Sequence, residues 1–385
     1  MSFDAGKFIC PINATEYKAE DFQEMFRHAY RIGKFSDIYI RIGYPVIVRS
    51  DSMNYKLSPK EKLSNVDVKN FISDSYNDGV YSDVLSGGEF EDSYSFYVDP
   101  DNKRNSEIVR MRLKVVRERG KDNPRGVAVV LRLIDNKIPT FDDLRVRELI
   151  RENIFPRQGL VIVAGETGSG KSTLLASVIH KILTDTSDDT PDAVLMELSD
   201  PIEFVYDSLS MGRNMIVQCA VGKRHDTKSF AQGIKNAKRM NTTHILIGES
   251  RDIETVEQVV DAANIGNACY TTFHANKVSG VIKGLAQKFG TDGERAAALD
   301  IVRVLQMVVV QYLAKVPGGR IPVQEILVFN ESIRATIEDA PENKFYSTID
   351  DCVERHGVSM SADARRLLDE KLIDDRTYRL IMAGL

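Results

Sequence analysis

Tryptophan is absent from the 385 residues, and cysteine is sparse: Cys10, Cys219, Cys269 and Cys352 are scattered without a CxxC pair. This excludes a disulfide-stapled scaffold and a cysteine-rich metal module, and it suits a reducing compartment. No apolar run approaches the ~20 residues that a bilayer span needs. The longest in the C-terminal half, Val304 to Ala314, is interrupted by Gln306 and Gln311. The N-terminus, MSFDAGKFIC, lacks a basic stretch followed by an apolar one, so no signal peptide is expected and the chain reads as cytoplasmic. Neither sign of charge dominates. Lys+Arg 51 against Asp+Glu 56 gives a net charge of -5, which removes any global basic field drawing the chain onto nucleic acid. No solenoid-type repeat is present.

What remains is a globular composition, 43% hydrophobic and 28% charged, at a length that predicts two or three domains. The first third reads as mixed α/β. A helix is expected over 19–32 and short strands within 36–49, broken by Gly43 and Pro45. Another helix follows over 66–75, then two strands over 107–116 and 127–133 joined by a polar turn at 120–126. Residues 1–134 form the expected N-terminal domain and 135–143, with Pro139, a linker. From Leu144 strand and helix alternate, the signature of a parallel sheet. Strands are expected at 160–164, 193–198, 244–247 and 268–273, and helices at 171–183, 230–239 and 253–263. This second domain is expected over 144–340. A helical extension over 341–385 completes the chain, its last part (361–382) reading as wholly helical with Leu367, Leu368, Leu372, Ile373 and Leu380 on its apolar face.

The sharpest signal is Gly165-Glu166-Thr167-Gly168-Ser169-Gly170-Lys171-Ser172-Thr173. It matches G-x-x-x-x-G-K-[ST] between an apolar strand and a helix. Glycines let backbone N–H groups turn inward around phosphates, and the helix N-terminus adds a dipole favourable to negative charge. In this pattern Lys171 reaches the β- and γ-phosphates and the Ser172 hydroxyl ligates Mg²⁺. A dinucleotide loop in the register Gly168-x-Gly170-x-x-Thr173 lacks its third glycine. None of the Asn-Lys pairs starting at Asn102, Asn136, Asn276 and Asn343 carries the aspartate two residues on that guanine recognition uses, so ATP is favoured.

Hydrolysis needs a carboxylate at a second strand's C-terminal edge to orient water, and HILIGES supplies Glu249. Asp252, three residues on, reads as the cap of the next helix.

Four segments in order, Gly165–Thr173, Leu198-Ser-Asp-Pro-Ile-Glu-Phe204, Gly248-Glu-Ser-Arg-Asp252 and Thr272-Phe-His-Ala-Asn276, resemble the Walker A, Asp box, Walker B and His box of the PilT/type II–type IV secretion traffic ATPases. The likeness extends to 36–45 and 319–328, and its overall flavour, including Glu166, is similar to the type IVB (Dot/Icm-type) branch. It implies a PAS-like α+β domain followed by a RecA-like ATPase domain, assembled as a homo-hexamer. Partners would be inner-membrane secretion subunits, at whose cytoplasmic face the ring is recruited. By matching position, Asp200 and Glu203 fall near Mg²⁺ and its waters, Glu249 polarises water, and His274 senses the γ-phosphate. The family's Glu-Asp-Pro is here Ser199-Asp200-Pro201, and Glu197, two residues earlier on the same strand face, is a candidate replacement. For the metal the candidates are therefore Ser172 with Glu197 or Asp200. Asn264 and Asn267 stand where the family often has a glutamate and a histidine, and Ser332-Ile-Arg-Ala335 partly echoes the retraction-linked A-I-R-N.

Seven arginines lie between 104 and 132. The family places arginines that act on a neighbour's phosphates on N-domain strands, and Arg112 and Arg132 match those strands best, with Arg119 and Arg125 next. The expected function is an ATPase powering a type IV (IVB-like) secretion or conjugation apparatus. Pilus retraction is the alternative within the family. Outside it stand a nucleotide-gated assembly switch, a nucleic-acid motor, disfavoured by acidity and a lack of aromatic interleaving, and a small-molecule kinase without a marked acceptor pocket.

Overall fold

A computed structural model describes residues 8–384, except positions 34, 52, 120–125, 135–136, 188–189, 223–225, 251 and 318. The chain divides into two compact units, Met1–Asn136 and Lys137–Leu385.

The first unit holds strands β1 (Asp37–Arg41), β2 (Ile47–Ser50), β3 (Met53–Lys56), β4 (Phe90–Tyr97), β5 (Ile108–Glu118) and β6 (Gly126–Leu133) with helices α1 (Ala19–Ile32), α2 (Asn65–Ser75) and α3 (Asp78–Leu85). The strands form one antiparallel sheet in the order β3-β2-β1-β6-β5-β4. Alternation along β5 buries Val109, Met111, Leu113 and Val115 beneath the helices and turns Arg110, Arg112 and Lys114 to the opposite face. Phe22 and Phe26 of α1 and Phe71 of α2 make the aromatic centre of this core. Strand β4 (FEDSYSFY) and helix α3 (DGVYSDVL) are absent from the sequence reading; each is eight residues long and half polar.

The second unit contains strands β7 (Gly159–Ala164), β8 (Val194–Ser199), β9 (Met215–Ala220), β10 (His244–Ile247), β11 (Ala268–Phe273), β12 (Leu305–Val316) and β13 (Gly319–Val328). Its helices are α4 (Glu148–Asn153), α5 (Lys171–Thr184), α6 (Phe230–Arg239), α7 (Ile253–Asn264), α8 (Val278–Ala286), α9 (Gly290–Val304), α10 (Glu331–Glu338), α11 (Phe345–His356), α12 (Met360–Asp369) and α13 (Asp375–Gly384). The sheet runs β13-β12-β7-β11-β10-β8-β9, all parallel except the β12–β13 hairpin. Every residue of β7 is buried because helices cover both faces. Leu160 and Ile162 pack with α6 to α9, and Val161 and Val163 pack with α5 on the other face. The α/β character expected from the sequence is the one observed.

The C-terminus departs from expectation. Residues 361–382 are two helices, because Lys371 takes a left-handed backbone (φ 57) and Asp374 caps the next turn by accepting the Thr377 N–H at 2.7 Å. Leu367 and Ile373 are buried as expected, but Leu372 and Leu380 face solvent.

Candidate active site

Parallel strands present their C-terminal ends along one edge of a sheet, and the loops leaving that edge gather the chemistry of α/β proteins. Four adjacent strands do so here. β7 leads into the glycine loop and α5, β11 ends at Phe273 and delivers His274, β10 ends at Ile247 and delivers Glu249, and β8 runs into Ser199-Asp200. Because β11 lies between β7 and β10, His274 leaves the sheet between the glycine loop and Glu249. The pairs Phe273↔Ala164 and Ile247↔Thr271 set that register.

The glycine loop is built on backbone that favours glycine. Gly168 and Gly170 have φ of 80 and 84, in the left-handed region. At Gly165 (φ 144) a Cβ would lie 2.2 Å from the Gln311 carbonyl oxygen, so no larger residue fits. Ser169 is buried and its hydroxyl has no partner within the protein. The Lys171 ammonium, also buried, donates to the Gly165 and Glu166 carbonyls at 2.9 Å each. Burial lowers its pKa, and the carboxylates of Glu249 and Glu203 act in the opposite direction. Lys171, Glu249 and Glu203 thus share one electrostatic neighbourhood. Ser172 and Thr173, in the first turn of α5, are half-buried. Gly165, Glu166 and Thr167 share an open cavity of about 440 Å³ with His274 and Asn276. A second, larger cavity of about 940 Å³ adjoins the start of α5, where Gly170, Thr173 and Leu174 meet Arg145, Leu313 and Arg366.

Around Glu249 the backbone is fixed by side chains from β11. Thr272 Oγ1 donates to the Gly248 carbonyl at 2.5 Å, and the Ser250 and Thr271 hydroxyls lie 3.1 Å apart. Asp252 caps α7 by accepting the Thr255 N–H, and Arg251 lies outside the described residues.

The Asp-box segment is anchored from below. Glu197 is buried, with Ser199 Oγ donating to Oε1 at 2.7 Å and Gln218 Nε2 to Oε2 at 2.6 Å. Gln218 Nε2 also donates to the Phe204 carbonyl at 2.7 Å, holding the loop that carries Asp200 and Glu203. Asp200 is exposed and Glu203 half-buried. Burial pushes the Glu197 carboxyl up to about 7, with Ser199 and Gln218 pulling it down and Glu203 adding to the rise. The folded chain therefore holds a proton that the unfolded chain releases near the ordinary value of 4.5. The stability that this proton confers is complete below that value and is lost as pH rises through about 7. Melting curves of the wild type and Glu197→Gln between pH 5 and 8 should diverge, the wild type losing stability relative to the variant as pH rises. Parallel curves would mean that Glu197 does not titrate there.

Among the candidate arginines, Arg112 and Arg132 are direct cross-strand partners in the β5–β6 ladder. Two cations placed opposite one another repel. Glu91 lies 3.9 Å from Arg112 Nε, and Asp37 accepts from Arg132 Nε at 2.9 Å. The Arg132 side chain remains 68% exposed. Arg119 is exposed beyond the end of β5, and Arg125 lies outside the described residues. Asn264 and Asn267 sit before β11, at the edge of the sheet opposite His274, where Asn267 Nδ2 donates to the Thr242 carbonyl. Arg334 is turned inward to the Leu305 carbonyl at 2.7 Å.

Sequence reasoning missed Gln311. It is visible there only as a polar interruption of an apolar run, yet it touches the glycine loop at Ser169.

The chain and its fold have known relatives. Residues 108–371 match the family model "Type II/IV secretion system protein". The type IV pilus retraction ATPase PilT of Pseudomonas aeruginosa is 29% identical over 336 residues, covering 86% of this chain and 88% of that protein. The crystal structure of the Legionella pneumophila ATPase DotB superimposes with a TM-score of 0.88 and 29% identity, over 98% of this chain and 99% of that one. The pilus retraction motor PilT with bound ADP matches with a TM-score of 0.77 and 28% identity, over 95% of this chain and 97% of that one.

Proposed function

Because the chain belongs to the type II/IV secretion system protein family, we propose that it is an ATPase that works as a homo-hexamer and powers a type IVB-like secretion or conjugation apparatus. The observation that carries the catalytic part is the convergence of Lys171, Glu249 and His274 at the ends of three adjacent strands. The likeness to DotB over nearly the whole of both chains supports the secretion role. The PilT match favours pilus retraction as the second reading. No helix among the described residues is long and apolar enough to cross a membrane, and recruitment to the cytoplasmic face of the inner membrane would go through partner subunits.

In this reading the glycine loop receives the triphosphate. Its N–H groups and Lys171 neutralise the β- and γ-phosphates, and the orphaned Ser169 hydroxyl finds an acceptor there. The nucleoside occupies the 940 Å³ cavity beside Gly170 and Thr173. The donor set fits Mg²⁺, which takes one or two protein oxygens beside phosphates and water. Ser172 would hold it, with Asp200 or Glu197 behind. When bound it would neutralise charge building on the phosphates. Of the two carboxylates, exposed Asp200 is the better placed for water-mediated contact, since both oxygens of Glu197 already accept hydrogen bonds. Glu249 orients the attacking water, and His274 reads the γ-phosphate from the strand between. Arg112 and Arg132 act on the nucleotide of a neighbouring subunit.

Turnover that depends on a neighbour's arginine rises with assembly. Turnover per subunit should therefore increase with protein concentration, in step with a shift from monomer to hexamer by size measurement in a non-hydrolysable ATP analogue. Equal turnover from a persistent monomer would remove both the ring and the arginine roles.

A further inference from the structure

Gln311 is a buried amide in the apolar strand β12, and the β7–β12 register, with Val310 opposite Ala164, places it beside the start of the glycine loop. Three members of that loop meet it. A Cβ on Gly165 would strike its main-chain carbonyl oxygen, a Cβ on Gly170 would lie 2.9 Å from its Nε2, and its Nε2 donates to the Ser169 carbonyl at 2.6 Å. A carbonyl can only accept, so Nε2 must face Ser169 and Oε1 must face away. Oε1 is then met by Gln324 Nε2 at 2.8 Å. The main chain of Gln324 is anchored separately: its backbone N–H donates at 2.8 Å to Asp363, a fully buried carboxylate on α12 held by Arg147 and Arg366.

We propose that Gln311 is a positioning residue for the phosphate-binding loop, oriented by the Gln324 side chain, whose backbone is anchored to Asp363 of α12. The argument rests on the glycine loop binding ATP, as proposed above. In a planar trans peptide the C=O and N–H point in opposite directions. Gripping the Ser169 carbonyl against β12 turns the N–H of Gly170 away from that strand, to serve the phosphates. ADP and ATP use this N–H alike, because it belongs to the part of the loop that closes on the helix N-terminus. The contact therefore contributes to binding in ground and transition states equally, and its loss should appear in KM while kcat is spared. These contacts also line the wall of the larger cavity, since Gln311, Gln324, Arg147 and Arg366 all border it. That ties the loop's shape to the C-terminal helices.

The test compares Gln311→Met, Gln324→Met and the double variant in the full chain, with calorimetry of ADP and an ATP analogue, steady-state kinetics and melting without nucleotide. Loss of one hydrogen bond of ordinary strength predicts about a 10-fold rise in Kd and KM for Gln311→Met, with kcat within about 2-fold. Gln324→Met, which leaves the loop contact in place but unfixed, should raise Kd about 3-fold. In the double variant the losses should not multiply, because the two bonds act in series. Wild-type affinity in Gln311→Met, a loss confined to kcat, or multiplying losses would each overturn the proposal. Should Gln311→Met fail to fold, unchanged affinity in Gln324→Met would overturn it alone. A wild-type chain that binds no nucleotide would instead bring down the ATPase reading itself.

Discussion

Replacing Glu249 with glutamine is expected to reduce ATP turnover by at least about 100-fold and to leave ATP affinity intact, because a positioned general base contributes roughly 10²–10⁴ in rate. The amide keeps the shape of the side chain but cannot draw a proton from water. The surrounding supports do not depend on the Glu249 carboxylate: Thr272 holds the Gly248 carbonyl, the Thr271 hydroxyl lies beside that of Ser250, and Asp252 caps α7. The variant should therefore fold and melt like the wild type while holding ATP without cleaving it. Single-turnover assays of the purified variant, run beside equilibrium binding, separate the two effects. Retention of more than about a tenth of wild-type turnover would assign the water to another residue, with His274 the next group along the strand edge. Normal export in cells carrying a turnover-dead variant would favour a nucleotide-gated assembly switch over a motor.

Lys171→Ala should act earlier, at binding. A charge-assisted contact to phosphate contributes about 1.5–3 kcal/mol, which corresponds to a loss of roughly 10- to 100-fold in nucleotide affinity, with turnover falling further still. The unliganded protein should not lose stability. The ammonium is buried against two carbonyls, and burial is the dominant influence on its ionisation. Removing it removes a desolvated charge. An equal or higher melting temperature without nucleotide, combined with loss of the stabilisation that ATP confers on the wild type, is the expected pair of results. A large drop in unliganded stability would make Lys171 a structural residue of the loop.

The parts of the candidate site that could be read from the sequence are those where backbone conformation dictates residue type at short spacing. Gly165 to Thr173 is such a segment, since a Cβ at Gly165 meets main chain and Gly168 and Gly170 need left-handed backbone. The place of Glu249 just beyond the end of β10 was legible because a glycine and a carboxylate follow a short apolar strand. Gln311 was not, because its meaning depends on β12 pairing beside β7 across 146 positions of sequence (311 − 165). The facing of Arg112 and Arg132 likewise arises only from the β5–β6 ladder register. The break between α12 and α13 was missed because a left-handed Lys371 leaves no mark on hydrophobic spacing, and Leu372 and Leu380 continue the apolar pattern into solvent. Asn264 and Asn267 lie close in sequence to the His-box strand, yet strand direction carries them to its far end.

The account stands on a triphosphate seated in the glycine loop. Isothermal titration of the full-length chain with a non-hydrolysable ATP analogue and Mg²⁺ tests this most directly. A saturable heat of binding that weakens roughly 10- to 100-fold in Lys171→Ala and keeps its affinity in Glu249→Gln is the predicted result. Folded protein that takes up no adenine nucleotide, or takes it up equally well in Lys171→Ala, would contradict it.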